Sequence, residues 1–218
     1  MFNVCPSCGE YSDEKLIASD GRHAICQACG HEHPFLRLPL LIVTGASGTG
    51  KSTVLLTLVA EQSAFVCLDS DILWRDEFSK PDNDFRDYRN LWLRVAKNIA
   101  QNGRPVALFG SATPGQFEQC AESRYFSGIH YLALVCSDNE LTRRLEARPA
   151  WRNSGTEAVL ERMTKFNQWL IDNATKSDPP MSLLDTSELS LDESVDATKK
   201  WFSSFEAFSL PVPKNISH

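Results

Sequence analysis

The sequence predicts an α/β protein: a three-layer domain on a parallel five-stranded sheet, preceded by a small cysteine-rich module. Three observations predict it. From residue 40 onward, short apolar runs alternate with longer amphipathic stretches, the pattern of parallel strands joined by crossover helices. A glycine-rich turn, GASGTGKST, follows the first of those runs. Cys-x-x-Cys-Gly also occurs twice before residue 31, at CPSCG and CQACG.

The cysteine repeat comes first in the chain. Two cysteines at this spacing turn both sulfurs onto one ion, and the following glycine tolerates the backbone turn that aims amides at the thiolates. Between the copies, Asp20-Gly21 is flanked by short apolar segments and reads as a hairpin turn. Residues 1–38 therefore read as a zinc ribbon with Cys5, Cys8, Cys26 and Cys29 as ligands. Four thiolates close a tetrahedral site and leave no position for a reacting water, so the zinc is expected to be structural. His31 and His33 lie just downstream, where either could replace a ligand, but solvated linker positions are expected for both, with HPFLRLP as the joint to a second domain, residues 39–218.

Beyond the joint, the expected strands are 40–44, 64–68, 105–109, 129–135 and 181–185. The expected helices are 50–62, 84–102, 114–122, 137–147, 156–174 and 191–205, with a tail, SLPVPKNISH, either frayed or draped over the surface. An apolar content of 42% and a charged content of 23% are those of a globular chain rather than a disordered one. No apolar stretch reaches membrane-spanning length, and MFNVCPSC lacks the basic and apolar regions of a signal peptide. A cytoplasmic protein without a membrane partner is expected, its seven cysteines reduced or metal-bound. The net charge of −6 argues against broad affinity for nucleic-acid backbones.

Gly45, Ala46, Ser47, Gly48, Thr49, Gly50, Lys51, Ser52 and Thr53 form the phosphate-loop motif G-x-x-x-x-G-K-[ST], between a strand and a helix as the motif requires. Glycines let backbone amides curl round a β-phosphate, and the helix N-terminus adds partial positive charge. Lys51 is placed to reach the β- and γ-phosphates, and the Ser52 hydroxyl to ligate Mg²⁺. A P-loop NTPase fold follows, but the motif alone marks only a phosphate binder, shared by motors, GTPases, transport ATPases and small-molecule kinases. The motor reading loses force at the third strand, where Gly110 and Ser111 stand in place of an acid pair. The GTPase reading rests on TKSD alone, which follows a helical stretch and lacks a D-x-x-G partner.

FVCLDSDILW, residues 65–74, ends the second strand with two aspartates. In extended chain Asp69 and Asp71 share a face, at the strand end where open α/β sheets bind ligands. Capping of the next helix is the competing explanation. With its phosphate loop and this Asp-x-Asp, the chain resembles the shikimate kinase, gluconate kinase and nucleoside/nucleotide kinase group of P-loop phosphotransferases. The resemblance implies that Asp69 helps hold hydrated Mg²⁺ and that Asp71 binds the acceptor hydroxyl and takes its proton.

LTRRLEARPAWR resembles the arginine-rich lid of those kinases. By that resemblance Arg144, Arg148 and Arg152 meet the nucleotide phosphates, Arg148 and Arg152 stabilising the transferring group. Asp185, Thr186 and Ser187 fall where such kinases hold adenine. The acceptor pocket is implied between the second and third strands, a segment with Trp74, Arg75, Phe78, Phe85, Arg86, Tyr88, Arg89 and Trp92. Aromatics there suit a nucleobase and arginines a phosphate or carboxylate. The spacing of Phe85, Tyr88 and Trp92 equally describes a core stripe. Shikimate kinases carry a full glycine triplet near the position of Gly110, and its absence here argues against shikimate as acceptor.

The leading reading is an ATP- and Mg²⁺-dependent phosphotransferase acting on a small-molecule hydroxyl or phosphate, such as that of a nucleoside or nucleotide. The alternatives are an ATP-binding protein whose ribbon grips nucleic acid or a protein partner, and a kinase of nucleic-acid ends.

Overall fold

The computed structural model describes residues 2–61, 63–79 and 85–205. The first sheet is small and antiparallel: β1 (Leu16–Ile17), β2 (His23–Ile25) and β3 (Glu32–Pro34). Its β1–β2 hairpin pairs Leu16 with Ile25 and Ile17 with Ala24 around the Asp20-Gly21 turn. Gly21 has a φ of 69°, the left-handed conformation that glycine takes without steric cost. The third strand was not expected. It moves His33 out of the linker and into the sheet, where its Nε2 lies 3.0 Å from the Lys15 amine and its ring meets Phe2 edge to face.

The second sheet has five parallel strands: β4 (Leu40–Gly45), β5 (Val66–Asp69), β6 (Val106–Phe109), β7 (Ile129–Val135) and β8 (Met181–Asp185). Their spatial order is β5-β6-β4-β7-β8. Alternation along β4 sends Leu40 and Ile42 to one face and Leu41 and Val43 to the other. On the first face lie α2 (Arg86–Ala100) and α4 (Glu157–Asn173), through Trp92, Leu93, Ala96 and Leu170. On the second lie α1 (Lys51–Ala60) and α5 (Leu191–Ser203), through Val54, Leu55, Leu58, Val195 and Phe202. The helix α3 (Asp138–Glu146) packs Leu141 and Leu145 against Ala46 and, across from it, Met163 of α4. The result is the expected three-layer sandwich.

The five strands and five of the six helices match the expected segments. The helix expected at 114–122 does not form. Its residues make successive three-residue turns, among them Gln116 N–H to Thr113 O at 3.3 Å and Cys120 N–H to Phe117 O at 3.0 Å, before a short 3₁₀ turn at Ala121–Tyr125. Gly115 has a φ of 88°, and the Glu118 carboxylate takes its amide at 2.8 Å, so local side-chain bonds replace the helical ladder. The C-terminal tail lies outside the described residues. No described helix is long and apolar enough to cross a membrane.

The small sheet docks on α2 and on the turn at Ala121–Tyr125. Phe2, Ala24 and Phe35 pack round Tyr125. The Tyr125 hydroxyl accepts from Lys15 N–H and donates to Asp13 O, both at 2.8 Å. Behind these rings Lys97 is fully buried. Its ammonium donates to Glu122 and, at 2.9 Å, to Asn3 Oδ1, and lies over the Phe2 and Tyr125 rings at 4.7 and 4.5 Å. Arg94 adds a bond from Nε to Glu122 at 2.7 Å and one to Asp13 at 3.1 Å.

Burial pulls the Lys97 pKa down, and the Glu122 carboxylate opposes that shift. Removing one partner of such a pair leaves the other charge uncompensated out of water, at a cost of about 3–5 kcal/mol. Glu122→Gln is therefore expected to lower the stability of the full chain by that amount in urea denaturation. A loss below about 1 kcal/mol would show that Asn3 and the two rings hold the cation unaided.

Candidate functional site

The site begins where β4 turns into α1. Gly45, Gly48 and Gly50 have φ of 154°, 101° and 97°. At Gly45 a Cβ would stand 2.5 Å from the Leu134 carbonyl oxygen, so no other residue fits there without displacing β7. Gly50 caps α1 without a side-chain bond, and the first turn of α1 holds no acidic residue. The first amides of a helix have no acceptor within it, and here their partial positive charge is left for a ligand. By contrast α5 is closed by a capping box of Ser190 and Glu193.

Lys51 bends back over this loop, its amine donating to Gly45 O at 2.7 Å and Ala46 O at 2.9 Å. Burial holds that amine down to about 8, with Asp71 opposing the shift, Arg148 adding to it and Asp69 opposing it. The loop opens into a polar cleft of about 180 Å³. Ser47, Gly48, Gly50, Lys51, Ser52 and Thr53 form one side of it. Asp69, Asp71, Gly110, Ser111, Arg148 and Arg152 close the other. Gly45, Ala46 and Thr49 shape the loop from behind. Thr49 is buried and donates to Ala46 O at 3.0 Å.

The two aspartates stand differently from the extended alternation expected. The strand ends at Asp69, and Asp71 sits in a 3₁₀ turn, Ser70–Leu73. Asp69 Oδ1 caps that turn by accepting the Asp71 N–H at 2.9 Å. Both carboxylates still reach the cleft, because a tight turn folds the second residue back over the first. Capping and cleft lining coexist at Asp69.

Of the lid arginines, Arg144 is fixed by three bonds: Nε to Glu140 at 2.6 Å, and its terminal nitrogens to Thr186 Oγ1 at 3.0 Å and Thr186 O at 2.7 Å. Arg148 faces both the phosphate cleft and a neighbouring cavity of about 300 Å³, and burial, then Arg152, pulls its pKa below the guanidinium range. Arg143 is exposed and paired with Glu140. The neighbouring cavity is lined by Gly48, Thr49, Gly50, Thr53, Arg144, Thr186, Leu189 and Leu191, among others. Thr186 is thus brought to a cavity wall. Asp185 and Ser187 bond to each other at 2.6 Å and do not line that cavity.

A third cavity, of about 220 Å³, adjoins the cleft at Asp71. It shares Asp71, Gly110 and Ser111 with the phosphate cleft, and its remaining walls include Trp74, Phe85, Tyr88, Arg89 and Phe117. The stripe Phe85, Tyr88, Trp92 therefore divides: the first two face the cavity, while Trp92 is buried and donates to Ser70 O at 3.0 Å. Tyr88 donates to the same carbonyl. Gly110 is a steric requirement, since a Cβ there would fall 1.9 Å from Ser70 Oγ. Ser70 and Phe117 escaped the sequence reading; a lone serine and one phenylalanine of a turn carry no pattern.

In the small sheet the two cysteine copies adopt one geometry. Gly9 N–H bonds to Cys5 O at 3.0 Å and Gly30 N–H to Cys26 O at 2.8 Å. The four sulfurs lie within 4.8 Å of one another, with Cys5 to Cys29 at 3.7 Å and Cys8 to Cys26 at 3.8 Å. Zn–S bonds of about 2.3 Å give a tetrahedron whose edge is about 3.8 Å, so the thiols fit a closed zinc site. The separations are far beyond a disulfide's roughly 2.05 Å. Among the described residues no histidine joins this cluster.

Comparisons with known proteins agree with this architecture. Residues 40–170 match the family described as AAA domain, and the chain belongs to that family. A sugar kinase from Janibacter sp. HTCC2649 is similar in structure at a TM-score of 0.56 and 15% identity, over 80% of this chain and 99% of that one. A gluconokinase from Sinorhizobium meliloti 1021 gives 0.49 and 21%, over 77% and 99%. A shikimate kinase from Bacteroides thetaiotaomicron gives 0.49 and 19%, over 76% and 98%. No curated protein matches in sequence. The chain has a kinase-like P-loop fold, a fold that generally implies ATP and Mg²⁺.

Two outcomes follow from the geometry. A bound polyphosphate favours the charged form of Lys51, so its pKa rises on binding. Nucleotide binding at pH 8 to 9, above the phosphate's own titration near pH 6, is expected to take up a proton, and affinity to fall as pH rises through about 8. Calorimetry in two buffers of different ionisation enthalpy measures that uptake, and its absence would show that Lys51 is already charged in the free protein. The four thiols are expected to bind one Zn²⁺ per chain. Cobalt substitution should give the absorption of a tetrahedral thiolate site, lost in Cys8→Ser.

Proposed function

We propose that the protein is an ATP- and Mg²⁺-dependent phosphotransferase acting on the hydroxyl of a small molecule. One observation carries the reading: Asp71, Gly110 and Ser111 belong to the walls of both the phosphate cleft and the cavity beside it. A phosphoryl group and an acceptor held in the two spaces meet at one carboxylate.

In this reading the loop amides and Lys51 hold the β- and γ-phosphates. Ser52 and Asp69 are the residues for Mg²⁺, which when bound neutralises charge on those phosphates. Asp71 orients the acceptor hydroxyl and accepts its proton as the oxygen bonds to the γ-phosphorus. The bridging oxygen–γ-phosphorus bond breaks, and ADP leaves with that oxygen. Arg148 and Arg152 face the transferring group and offset charge on its equatorial oxygens. Arg144 and Thr186 face the neighbouring cavity, which suits the nucleoside part of ATP.

Residues 1–38 are read as a structural zinc ribbon and residues 39–218 as the phosphotransferase domain, with reduced thiols in keeping with a cytoplasmic setting. Nucleic-acid capture by the ribbon gains nothing from Lys15, the one lysine before residue 39, since it is fully buried.

Acceptor-dependent ADP release across a panel of small hydroxyl compounds tests the reading. Lys51→Ala is expected to abolish release. Asp71→Asn, which keeps the shape and removes the base, should lower kcat by roughly 10²- to 10⁴-fold. Background hydrolysis alone, equal in the wild type and Lys51→Ala, would remove the phosphotransferase assignment.

A further inference from the structure

The cavity beside Asp71 is specific enough in chemistry to select among acceptors. Its floor is apolar, from Ile42 and Leu108 of the sheet. Its sides are aromatic: Trp74, Phe85 and Tyr88 form one corner, and Phe117 contributes from the turn after β6. Trp74 meets Phe85 at 5.8 Å and 55°, and Tyr88 at 5.2 Å and 80°. Rings at such angles form a corner instead of a stack. The Tyr88 hydroxyl is engaged with Ser70 O, so it is the body of that ring that faces the cavity. Polar character is confined to Asp71, Arg89 and the serines beside them.

Phe85 adds an independent sign. It stands at the head of α2 with a φ of 55°, a conformation rare for a bulky residue and retained chiefly where a site requires it. Asparagine or glycine would start the helix there with less strain. What the phenylalanine supplies instead is an aromatic wall.

We propose, resting on the phosphotransferase reading, that the acceptor is of the nucleoside class: a planar heteroaromatic ring carrying an alcohol arm. The ring lies in the aromatic corner over Ile42 and Leu108, and the alcohol meets Asp71 at the opening to the phosphate cleft. Arg89 stands in the cavity wall beside the ring and makes that wall electropositive. An open-chain polyol or sugar acid of similar size is disfavoured, because its hydroxyls would face Ile42, Leu108, Phe85 and Phe117 without partners. The volume, about 220 Å³, lies just below the roughly 300–1,000 Å³ of drug-sized sites and suits a single small acceptor.

The test measures binding separately from chemistry. The full chain is titrated with uridine, thymidine, cytidine, adenosine and guanosine, and with gluconate and shikimate, in the presence of ADP and Mg²⁺, by calorimetry. Saturable binding of at least one nucleoside, with no binding of gluconate or shikimate, is expected. Trp74→Ala and Phe85→Ala should each weaken that binding roughly 5- to 150-fold, the range of a lost base–aromatic stack, with circular dichroism showing the variants folded. Nucleoside binding that is absent, or that both variants leave unchanged, overturns the proposal. Nucleoside binding that both variants weaken, with no ATP-dependent transfer to any compound of the panel, would keep the cavity as a nucleoside site and sink the phosphotransferase reading that makes the nucleoside an acceptor. Transfer to gluconate or shikimate without nucleoside binding would do the reverse.

Discussion

The Ser70 carbonyl is the interaction on which the site depends. It accepts from the Trp92 indole at 3.0 Å and from the Tyr88 hydroxyl, so two side chains of α2 hold one peptide of the 3₁₀ turn. That turn carries Asp71, and Asp71 is common to the phosphate cleft and the aromatic cavity. On the other flank Ser70 Oγ occupies the space a side chain at position 110 would need. The proposed role of Asp71 requires its carboxylate to be held to within about half an ångström, and the peptide before it is anchored by Tyr88 and Trp92. The 3₁₀ geometry, poor as an isolated structure, persists because α2 satisfies the Ser70 carbonyl and Asp69 the Asp71 N–H.

The helix that grips the turn is itself held at its other end. Arg94 and Lys97, two and five residues beyond Trp92, join Glu122, Asn3 and Asp13, and Gln101 bonds to the backbone of Leu36 through both polar atoms of its side chain. A buried cation between a carboxylate and two aromatic faces gains little net stability over an apolar replacement, yet leaving it half-paired is costly. Its consequence is geometric: the ribbon and the cavity are fixed to opposite ends of the same rigid helix. The ribbon is thereby part of the scaffold of α2. The four thiols that shape the ribbon lie remote in sequence from the aspartates but share this support.

Charge is arranged unevenly around the phosphate loop. Lys51, Arg148 and Arg152 converge on a cleft with two carboxylates, in a chain whose net charge is −6. Burial, with Arg148 nearby, disfavours the charged form of Lys51, and burial and Arg152 do the same to Arg148. Such cations are poorly solvated in the free protein, which makes a polyanion their natural partner. Preorganisation of this kind is where phosphoryl-transfer sites obtain most of their effect.

Much of this was legible in the sequence because it depends on local rules. The period-two and helical patterns gave five strands and five helices, the loop glycines their turn, and the doubled Cys-x-x-Cys its cluster. The segment 114–122 misled because its composition suits a helix while Gly115 and the Glu118 carboxylate favour turns. His33 misled because a three-residue edge strand carries almost no periodic signal. Tertiary structure alone decided the strand order, the docking of the ribbon, the division of the aromatic stripe between cavity and core, and the meeting of two cavities at Asp71. Those features join residues far apart in the chain, and contacts of that kind leave no spacing to be read; only the packed fold sets which faces are opposed.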